Sequence, residues 1–393
     1  MQSGAFPHLE HNKEIRESVR ALCSKFPAEY WDQHDRDHEY AADFVKAFAD
    51  GGFLGILIPE EYGGGGGTIA EFCAALEEVA ASGGALNACS SVHVPLLCVP
   101  SILAFGTEEQ RRTLLPEVAA GRLLITFGVT EPDAGTDTTR ISLAATPRDG
   151  GWMLNGTKVW NSGAPYAQKV LLLARTSQPA PGGRKGDGLT LFVTDLDRPT
   201  LEMQPIPKIG RNAFGSSELF FNDHAVGPED VVGEVGHGFY HLLHSLNAER
   251  LYLAAVAMGI GRWCLRAATR YAAERVVFDR PIGKNQAVQH PLAADYLQLL
   301  AAGQVLQSAI EACLQQGPGA IGPIANAAKY LTSEAAWKTA DDAMQTFGGY
   351  SFAREYHIGR HWTEVRLQRI APVNNQMVLN YIAERVLGLP RSY

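Results

Sequence analysis

The chain has 393 residues, of which 46% are hydrophobic, so its length predicts two or three domains with substantial cores. Its 42 acidic residues outnumber its 34 basic ones, and the resulting net charge of −8 argues against nucleic acid as a partner. The N-terminus lacks a signal-peptide pattern and no apolar run reaches about 18 residues, so we expect a soluble, cytoplasmic protein without a membrane partner.

Residues that often bind metals or form disulfides are scattered along the chain. The six cysteines are far apart, without a Cys-x-x-Cys pair, which predicts reduced core thiols. His237, His241 and His244 share a helical spacing, but no carboxylate or cysteine completes a ligand set. We therefore expect no metal site.

Apolar residues at helical spacing run through 1–123 and predict an all-helical N-terminal domain. The five consecutive glycines at 63–67 interrupt this pattern. They lack the Lys-Ser/Thr ending of a phosphate-binding loop, so we interpret them as a flexible turn.

The periodicity changes within 124–235, where short segments are rich in β-branched and aromatic residues. They predict an antiparallel β-domain whose strands are separated by turn signals at Asp149-Gly-Gly, Asn155-Gly and Pro181-Gly-Gly. Long helical patterns return in 236–393 and predict a C-terminal helical bundle. The expected fold class is therefore a three-domain α+β protein.

The segment 127–137, Phe-Gly-Val-Thr-Glu-Pro-Asp-Ala-Gly-Thr-Asp, combines turn chemistry with hydroxyl groups. Pro132 disfavours a helical conformation at Glu131, and Gly135 can adopt positive φ, so the Thr130 and Thr136 hydroxyls can converge on one ligand. This pattern favours a binding loop for a flat cofactor with a polar edge. An ordinary turn is the alternative on local chemistry alone.

A second candidate group is the carboxylate of Glu249. Leu242, Leu246 and Leu253 lie at helical spacing on the same face, so burial is expected to raise its pKa and make it a stronger base. The alternative is a surface carboxylate paired with Arg250.

Two further segments carry candidate binding groups. Arg275, Phe278, Arg280 and Gln286 form a basic, amide-bearing segment that could hold a pyrophosphate, with Pro281 turning the chain between its halves. A surface salt-bridge patch is the alternative there. Gln345-Thr-Phe-Gly-Gly349 ends a helix with glycines, for which a simple C-cap is the alternative.

These segments together resemble the acyl-CoA dehydrogenase family over nearly the whole chain, in order and spacing. The matching motifs are Thr130-Glu-Pro-Asp-Ala-Gly-Thr-Asp137, Trp160-Asn-Ser162, Gly236-His-Gly-Phe239, Glu249-Arg250, Arg275-Val-Val-Phe278 continuing to Gln286, and Gln345-Thr-Phe-Gly-Gly349. The resemblance implies a helical domain, a central antiparallel β-domain, a C-terminal four-helix bundle, FAD as cofactor and a homotetramer made of two dimers.

The resemblance also assigns residues to the cofactor. The flavin ring would be lined by Phe127, Val129, Thr130, Gly135, Thr136, Trp160 and Ser162. The residues Arg275, Phe278 and Gln286 would reach FAD bound to a neighbouring subunit. The adenosine and pyrophosphate would be held by Gln345 and Gly349, and the site would be completed by Asn374 and Gln376.

The catalytic base of most family members is a Glu near the C-terminus, but Pro372 occupies that position here. A subgroup that includes isovaleryl-CoA and long-chain acyl-CoA dehydrogenases places the Glu before an Arg, as in Glu249-Arg250. The resemblance therefore implies Glu249 as the base and Thr136, Asn247 and Arg250 as substrate contacts. Pro372 also lacks the N–H that the family aims at the thioester oxygen, so either Val373 substitutes or the alignment slips by one residue.

The implied activity is α,β-dehydrogenation of an acyl-CoA to a trans-2-enoyl-CoA in fatty acid β-oxidation, with electrons passed to an electron-transfer flavoprotein. The alternatives are an acyl-CoA oxidase, a desaturase of a carrier-bound acyl group, or a flavin-binding assembly protein without turnover. Chain length and branching of the acyl group are not determined by these motifs.

Overall fold

The computed structural model describes residues 6–392. The first part of the chain is helical, as predicted, because apolar side chains recur on one face of each helix and bury there. Its helices are α1 (Lys13–Cys23), α2 (Ala28–Asp37), α3 (Ala42–Asp50), α4 (Ile69–Val79), α5 (Ala85–His93), α6 (Val99–Phe105) and α7 (Glu108–Ala119).

The glycine run at 63–67 is tightly bound rather than flexible, so that prediction was wrong. Backbone N–H groups of Gly64, Gly65, Gly66 and Gly67 all donate to carbonyls of 55–59 at 2.8 to 3.1 Å. A Cβ on Gly64 would lie 2.0 Å from the Ile58 carbonyl oxygen, so the close backbone approach requires glycine there.

The central domain is a seven-stranded sheet in the order β1-β4-β2-β3-β7-β6, with β5 paired to β4. It is largely antiparallel, as predicted, although β4 pairs in parallel with both β1 and β2. Its strands are β1 (Ile125–Gly128), β2 (Ala144–Arg148), β3 (Gly151–Ser162), β4 (Lys169–Arg175), β5 (Leu189–Asp195), β6 (Leu201–Pro205) and β7 (Ser216–Val226).

The predicted turn at Asn155-Gly is instead part of the continuous strand β3. Its pairing with β7 shifts register between Leu154 and Gly156, where Gly156 has φ of 137°. The glycine therefore forms an irregularity within a strand instead of ending it.

Three long helices dominate the last part of the chain, and two shorter helices pack against the third of them. They are α8 (Gly238–Glu274), α9 (Gln286–Gln316), α10 (Gly322–Phe347), α11 (Ile358–Leu367) and α12 (Asn375–Arg385). A small hairpin of β8 (Val276–Val277) and β9 (Arg280–Pro281) separates α8 from α9.

Two helical stretches, Ile69–Phe105 and Gln286–Gln316, are long and apolar enough to cross a membrane by composition alone. In the first stretch, 72% of the apolar window is buried inside the fold. Burial of this extent is ordinary for the core helices of a folded domain.

Candidate active site

Glu249 is a buried carboxylate on α8. Its exposure is 8%, and Leu242 and Leu253 on the same face are buried with it. Burial raises the pKa of Glu249 to about 7, although the neighbouring Arg250 charge opposes this. Among the described residues, no partner makes a hydrogen bond or ion pair with this carboxylate, and Arg250 donates to Asn247, so the alternative of a surface carboxylate paired with Arg250 is wrong. Glu249 is therefore poised to exchange a proton near neutral pH.

Arg250 and Asn247 hold one another beside this carboxylate. The Arg250 guanidinium donates to Asn247 Oδ1, and Asn247 Nδ2 donates to the Pro318 carbonyl at 2.7 Å. Burial lowers the pKa of Arg250 despite the adjacent Glu249, so desolvation outweighs the attraction between the two groups. Asn247 thus fixes Arg250 relative to the connection between α9 and α10, and its contact with substrate stays a prediction.

The loop 127–137 meets the C-terminal segment through Thr136. Asn374 Nδ2 donates to Thr136 Oγ1 at 3.2 Å, while Asn374 Oδ1 accepts from the Met377 N–H and caps α12. Two residues assigned to the cofactor site from distant parts of the sequence are therefore neighbours in the fold.

Lys329 on α10 makes hydrogen bonds to the segment that carries Pro372. Lys329 Nζ donates to the Val373 carbonyl at 2.7 Å and to Asn375 Oδ1 at 2.6 Å. Burial lowers the pKa of Lys329 to about 8. The Val373 carbonyl is thus engaged, whereas its N–H makes no hydrogen bond within residues 6–392.

A buried ion pair shapes the loop 127–137 itself. Glu131 accepts hydrogen bonds from the Ser142 and Leu143 N–H groups and pairs with Lys158 Nζ on β3 at 2.8 Å. Lys158 also donates to the Val129 carbonyl at 3.0 Å. Burial lowers the pKa of Lys158 to about 8, with Glu131 opposing. Glu131 is therefore a structural residue of the loop, a role that turn chemistry alone did not indicate.

Trp160 and Ser162 lie at the end of β3, beside an irregularity in its pairing with β7. The register shifts between Lys158 and Asn161, and Trp160 has φ of 62° with 54% of its surface exposed. A positive φ at a bulky residue is strained, and such strain concentrates at functional sites. Thr126 Oγ1 donates to the Ser162 carbonyl at 2.7 Å and ties this end of β3 to β1.

Arg211 is a charged residue of this region that sequence reasoning missed. Its Nη2 donates to Ser162 Oγ at 2.9 Å and to Ser216 Oγ at 3.1 Å. In the sequence, Arg211 is simply a basic residue that follows a glycine in the connection between β6 and β7. The connection has no helical or strand periodicity that would predict a buried position for it.

The hairpin between α8 and α9 turns at Phe278 and Asp279, not at Pro281 as predicted. Both turn residues have positive φ, 51° and 59°, which is the conformation of a two-residue hairpin turn. Pro281 lies on β9 instead, where its missing N–H is tolerated at an edge. The Phe278 ring is 92% exposed at the tip.

Arg275 and Gly349 line one cleft of about 510 Å³ at the end of α10, so the structure brings these two predicted cofactor residues together. The Arg275 guanidinium lies 5.5 Å from the centre of the Tyr350 ring. Gln286 and Gln345 are exposed near the ends of α9 and α10. Of the described residues that line this cleft, none belongs to the loop 127–137.

The other predicted flavin neighbours have different surroundings. Phe127 and Val129 are partly buried against the main core, and the Thr130 carbonyl accepts from the Val159 N–H at 2.9 Å. Gly135 and Gln376 are exposed, and Gly135 does not adopt the positive φ that the sequence allowed.

Three family models match the chain in order: the acyl-CoA dehydrogenase N-terminal domain over 9–122, the middle domain over 126–224 and the C-terminal domain over 236–387. Acyl-CoA dehydrogenase FadE12 of Mycobacterium tuberculosis is 34% identical over 393 residues, which is 100% of both chains.

Solved structures agree with this match. A glutaryl-coenzyme A dehydrogenase in complex with glutaryl-CoA superposes with a TM-score of 0.90 at 30% identity, covering 97% of this chain and 96% of that one. PigA with FAD and proline superposes with a TM-score of 0.89 at 26% identity, covering 96% and 97%. The chain belongs to the flavin-dependent acyl-CoA dehydrogenase family and is an enzyme of that family.

Proposed function

We propose that this chain binds FAD and oxidises an acyl-CoA thioester to the trans-2-enoyl-CoA, with Glu249 as the catalytic base. The observation that carries the proposal is the buried Glu249 carboxylate, whose pKa is raised to about 7. A carboxylate with this pKa is a stronger base than one in water, and at neutral pH a large fraction of it is ionised.

The α-proton of a thioester is still far less acidic than a carboxylic acid, so the developing negative charge on the thioester oxygen needs hydrogen-bond donors. Pro372 has no N–H to offer. We assign one donor to the Val373 N–H, because it makes no hydrogen bond within residues 6–392 and Lys329 anchors the next peptide group through the Val373 carbonyl.

The residues present fit FAD in two places. Trp160 exposes a large ring on a strained strand end, two residues before the Ser162 hydroxyl, which suits a flavin ring with polar edges. Arg275 and Gly349 line a cleft in which a cation and an open backbone suit a pyrophosphate. When bound, FAD would accept the hydride from the β-carbon.

Arg250 would act as a positioning residue rather than a base. Its contact with Asn247 fixes the guanidinium beside Glu249, and its positive charge opposes the rise in the Glu249 pKa. Arg250 therefore keeps enough of the base ionised for catalysis near pH 7.

We further propose that the active form is an oligomer whose subunits share the cofactor, and that an electron-transfer flavoprotein accepts the electrons. Val276, Val277 and Phe278 are exposed together on the hairpin, and this contiguous apolar surface supports the first point because it favours burial against another surface. A place in fatty acid β-oxidation and a cytoplasmic location are part of the same proposal.

The test is anaerobic mixing of the purified protein with saturated acyl-CoAs of graded length, read as bleaching of the flavin absorbance. We expect at least one acyl-CoA to reduce the flavin and yield the enoyl-CoA. Failure of every chain length would contradict the proposal. Oxygen consumption that keeps pace with turnover would instead identify an oxidase.

A further inference from the structure

The connection between β6 and β7 carries Arg211 and is clamped to the N-terminal helical domain. The Asn212 N–H donates to Asp35 Oδ1 at 2.7 Å, and the Ala213 N–H donates to Asn87 Oδ1 at 2.9 Å. Arg211 itself has φ of 59°, a conformation that such flanking contacts must hold in place. These backbone contacts therefore fix the position from which the Arg211 side chain extends.

Within the described part of the chain, the hydrogen-bond partners of this guanidinium are all neutral hydroxyls. Arg211 donates to Ser162 Oγ at 2.9 Å, to Ser216 Oγ at 3.1 Å and to Ser90 Oγ at 3.4 Å. Its Nε is enclosed and has no hydrogen-bond partner among residues 6–392. Within the same part of the chain, no carboxylate forms an ion pair with it.

The nearby carboxylates are committed to other partners. Glu364 accepts from Asn87 Nδ2 at 2.7 Å and pairs with Arg360 at 3.0 Å. Asp35 accepts from Asn87 as well as from Asn212. Lys208 in the same connection adds a second cation, which donates only to the Phe214 carbonyl at 3.4 Å among the described residues. Burial lowers the pKa of Arg211 to about 10, although the nearby charge of Glu364 opposes this, so Arg211 is still charged at neutral pH.

Arg211, which pairs with no carboxylate among the described residues, therefore contacts Ser162, the hydroxyl that the family resemblance assigns to the flavin. Ser162 Oγ accepts from Arg211 and lies 3.4 Å from Ser216 Oγ, which also accepts from Arg211, so the Ser162 proton can be donated either to Ser216 or to a ligand. Reduction of a flavin adds two electrons and makes it more electron-rich. A fixed positive charge and a pre-oriented hydroxyl donor close to it stabilise the reduced form more than the oxidised form.

We propose that Arg211 is a positioning residue that orients the Ser162 hydroxyl toward the flavin and raises the reduction potential of the bound cofactor. The inference rests on the proposed binding of FAD. A higher potential makes transfer of electrons from a saturated thioester more favourable, so Arg211 tunes the reaction without contacting substrate.

The experiment measures the midpoint potential of the bound flavin by equilibration with a reference dye during dithionite reduction, without acyl-CoA, in Arg211→Met, Arg211→Lys and Ser162→Ala. We expect Arg211→Met and Ser162→Ala to retain FAD while the equilibrium constant for reduction falls at least tenfold, which is about 30 mV for a two-electron couple. Arg211→Lys keeps the positive charge, so its equilibrium constant for flavin reduction should fall less.

Arg198→Met serves as the matched control, because Arg198 is a β-domain arginine that pairs with Asp195 and donates to the Ala225 carbonyl. The flavin bound to Arg198→Met should have the same midpoint potential as the flavin bound to the unchanged protein. An unshifted potential in Arg211→Met with FAD bound would overturn the proposal. If Arg211→Met does not retain FAD, Ser162→Ala decides: a lowered potential supports the proposal and an unchanged one overturns it. Failure of the proposed function is a separate result, namely absence of FAD or of reduction by acyl-CoA in the unchanged protein.

Discussion

At the residue scale, the burial of Glu249 has opposite effects on stability and on catalysis. Its burial among apolar neighbours makes ionisation unfavourable, which destabilises the folded state at neutral pH. The same burial raises its basicity, which the proposed proton abstraction needs. A catalytic group that weakens the fold is a common trade-off between stability and activity.

The pKa of Glu249 predicts the pH dependence of flavin reduction. A base must be ionised, so the single-turnover rate should rise as pH increases through about 7 and level off above it. Stopped-flow reduction at acyl-CoA concentrations well below saturation, between pH 5.5 and 8.5, measures this profile, because the second-order rate constant reports the pKa of the free enzyme. A rate that does not change across the range would argue against a base with this pKa.

The raised pKa of Glu249 also predicts that Glu249→Gln stabilises the protein at alkaline pH. The folded-state pKa lies above its ordinary value of 4.5, so the stability linked to this group is present at low pH and is lost as pH rises through about 7. At pH 8 the variant should gain up to about 3 kcal/mol, an order-of-magnitude figure. Melting temperatures of both proteins at pH 5 and pH 8 test this; a gain as large at pH 5 as at pH 8 would refute the linkage.

At the scale of elements, the loop 127–137 depends on the Glu131–Lys158 pair between it and β3. Lys158→Met leaves a buried carboxylate without its cation and should cost about 3–5 kcal/mol of unfolding free energy. Lys169→Met on β4 is the control, since its pair with Asp195 is partly exposed and worth about 1 kcal/mol or less. Denaturant unfolding with flavin content as a second readout measures both, and equal losses would show that the buried pair has no special role.

The elements also show which features the sequence could predict. Leucines at helical spacing correctly indicated the buried face that carries Glu249, because periodicity reports burial directly. Asn155-Gly predicts a turn, yet Gly156 lies inside β3. The prediction is wrong because a glycine at an irregular strand position and a glycine in a turn have the same local sequence pattern. The partners of Arg211 lie on three separate elements, and no local pattern in the sequence links them.

At the scale of the whole molecule, the fold joins the three domains around the candidate site through contacts between distant segments. Thr136 and Asn374 meet although they belong to the β-domain and the C-terminal domain, and Asn87 of α5 binds both Asp35 and Glu364. The resemblance to the family assigned both Thr136 and Asn374 to the cofactor site, but it did not predict the contact between them. Single-sequence reasoning did not anticipate the contacts of Asn87 either, because nothing in the helical pattern of α5 marks this residue.

The exposed hairpin predicts that subunits share the cofactor. Phe278→Asp should weaken FAD retention about tenfold, or ~1.4 kcal/mol, because a charged tip cannot be buried against a neighbouring subunit. Phe278→Leu keeps the apolar tip and should retain FAD. Light scattering together with flavin content measures assembly and occupancy; an unchanged oligomer with full FAD in Phe278→Asp would contradict shared binding.

The identity of the base is tested most directly by anaerobic stopped-flow reduction of Glu249→Gln beside Glu274→Gln, an exposed residue of the same helix. Glu249→Gln should retain FAD but lose reduction by at least about a thousandfold, within the range that general bases contribute, whereas Glu274→Gln should match the unchanged protein. Reduction of Glu249→Gln at the unchanged rate would show that Glu249 is not the base.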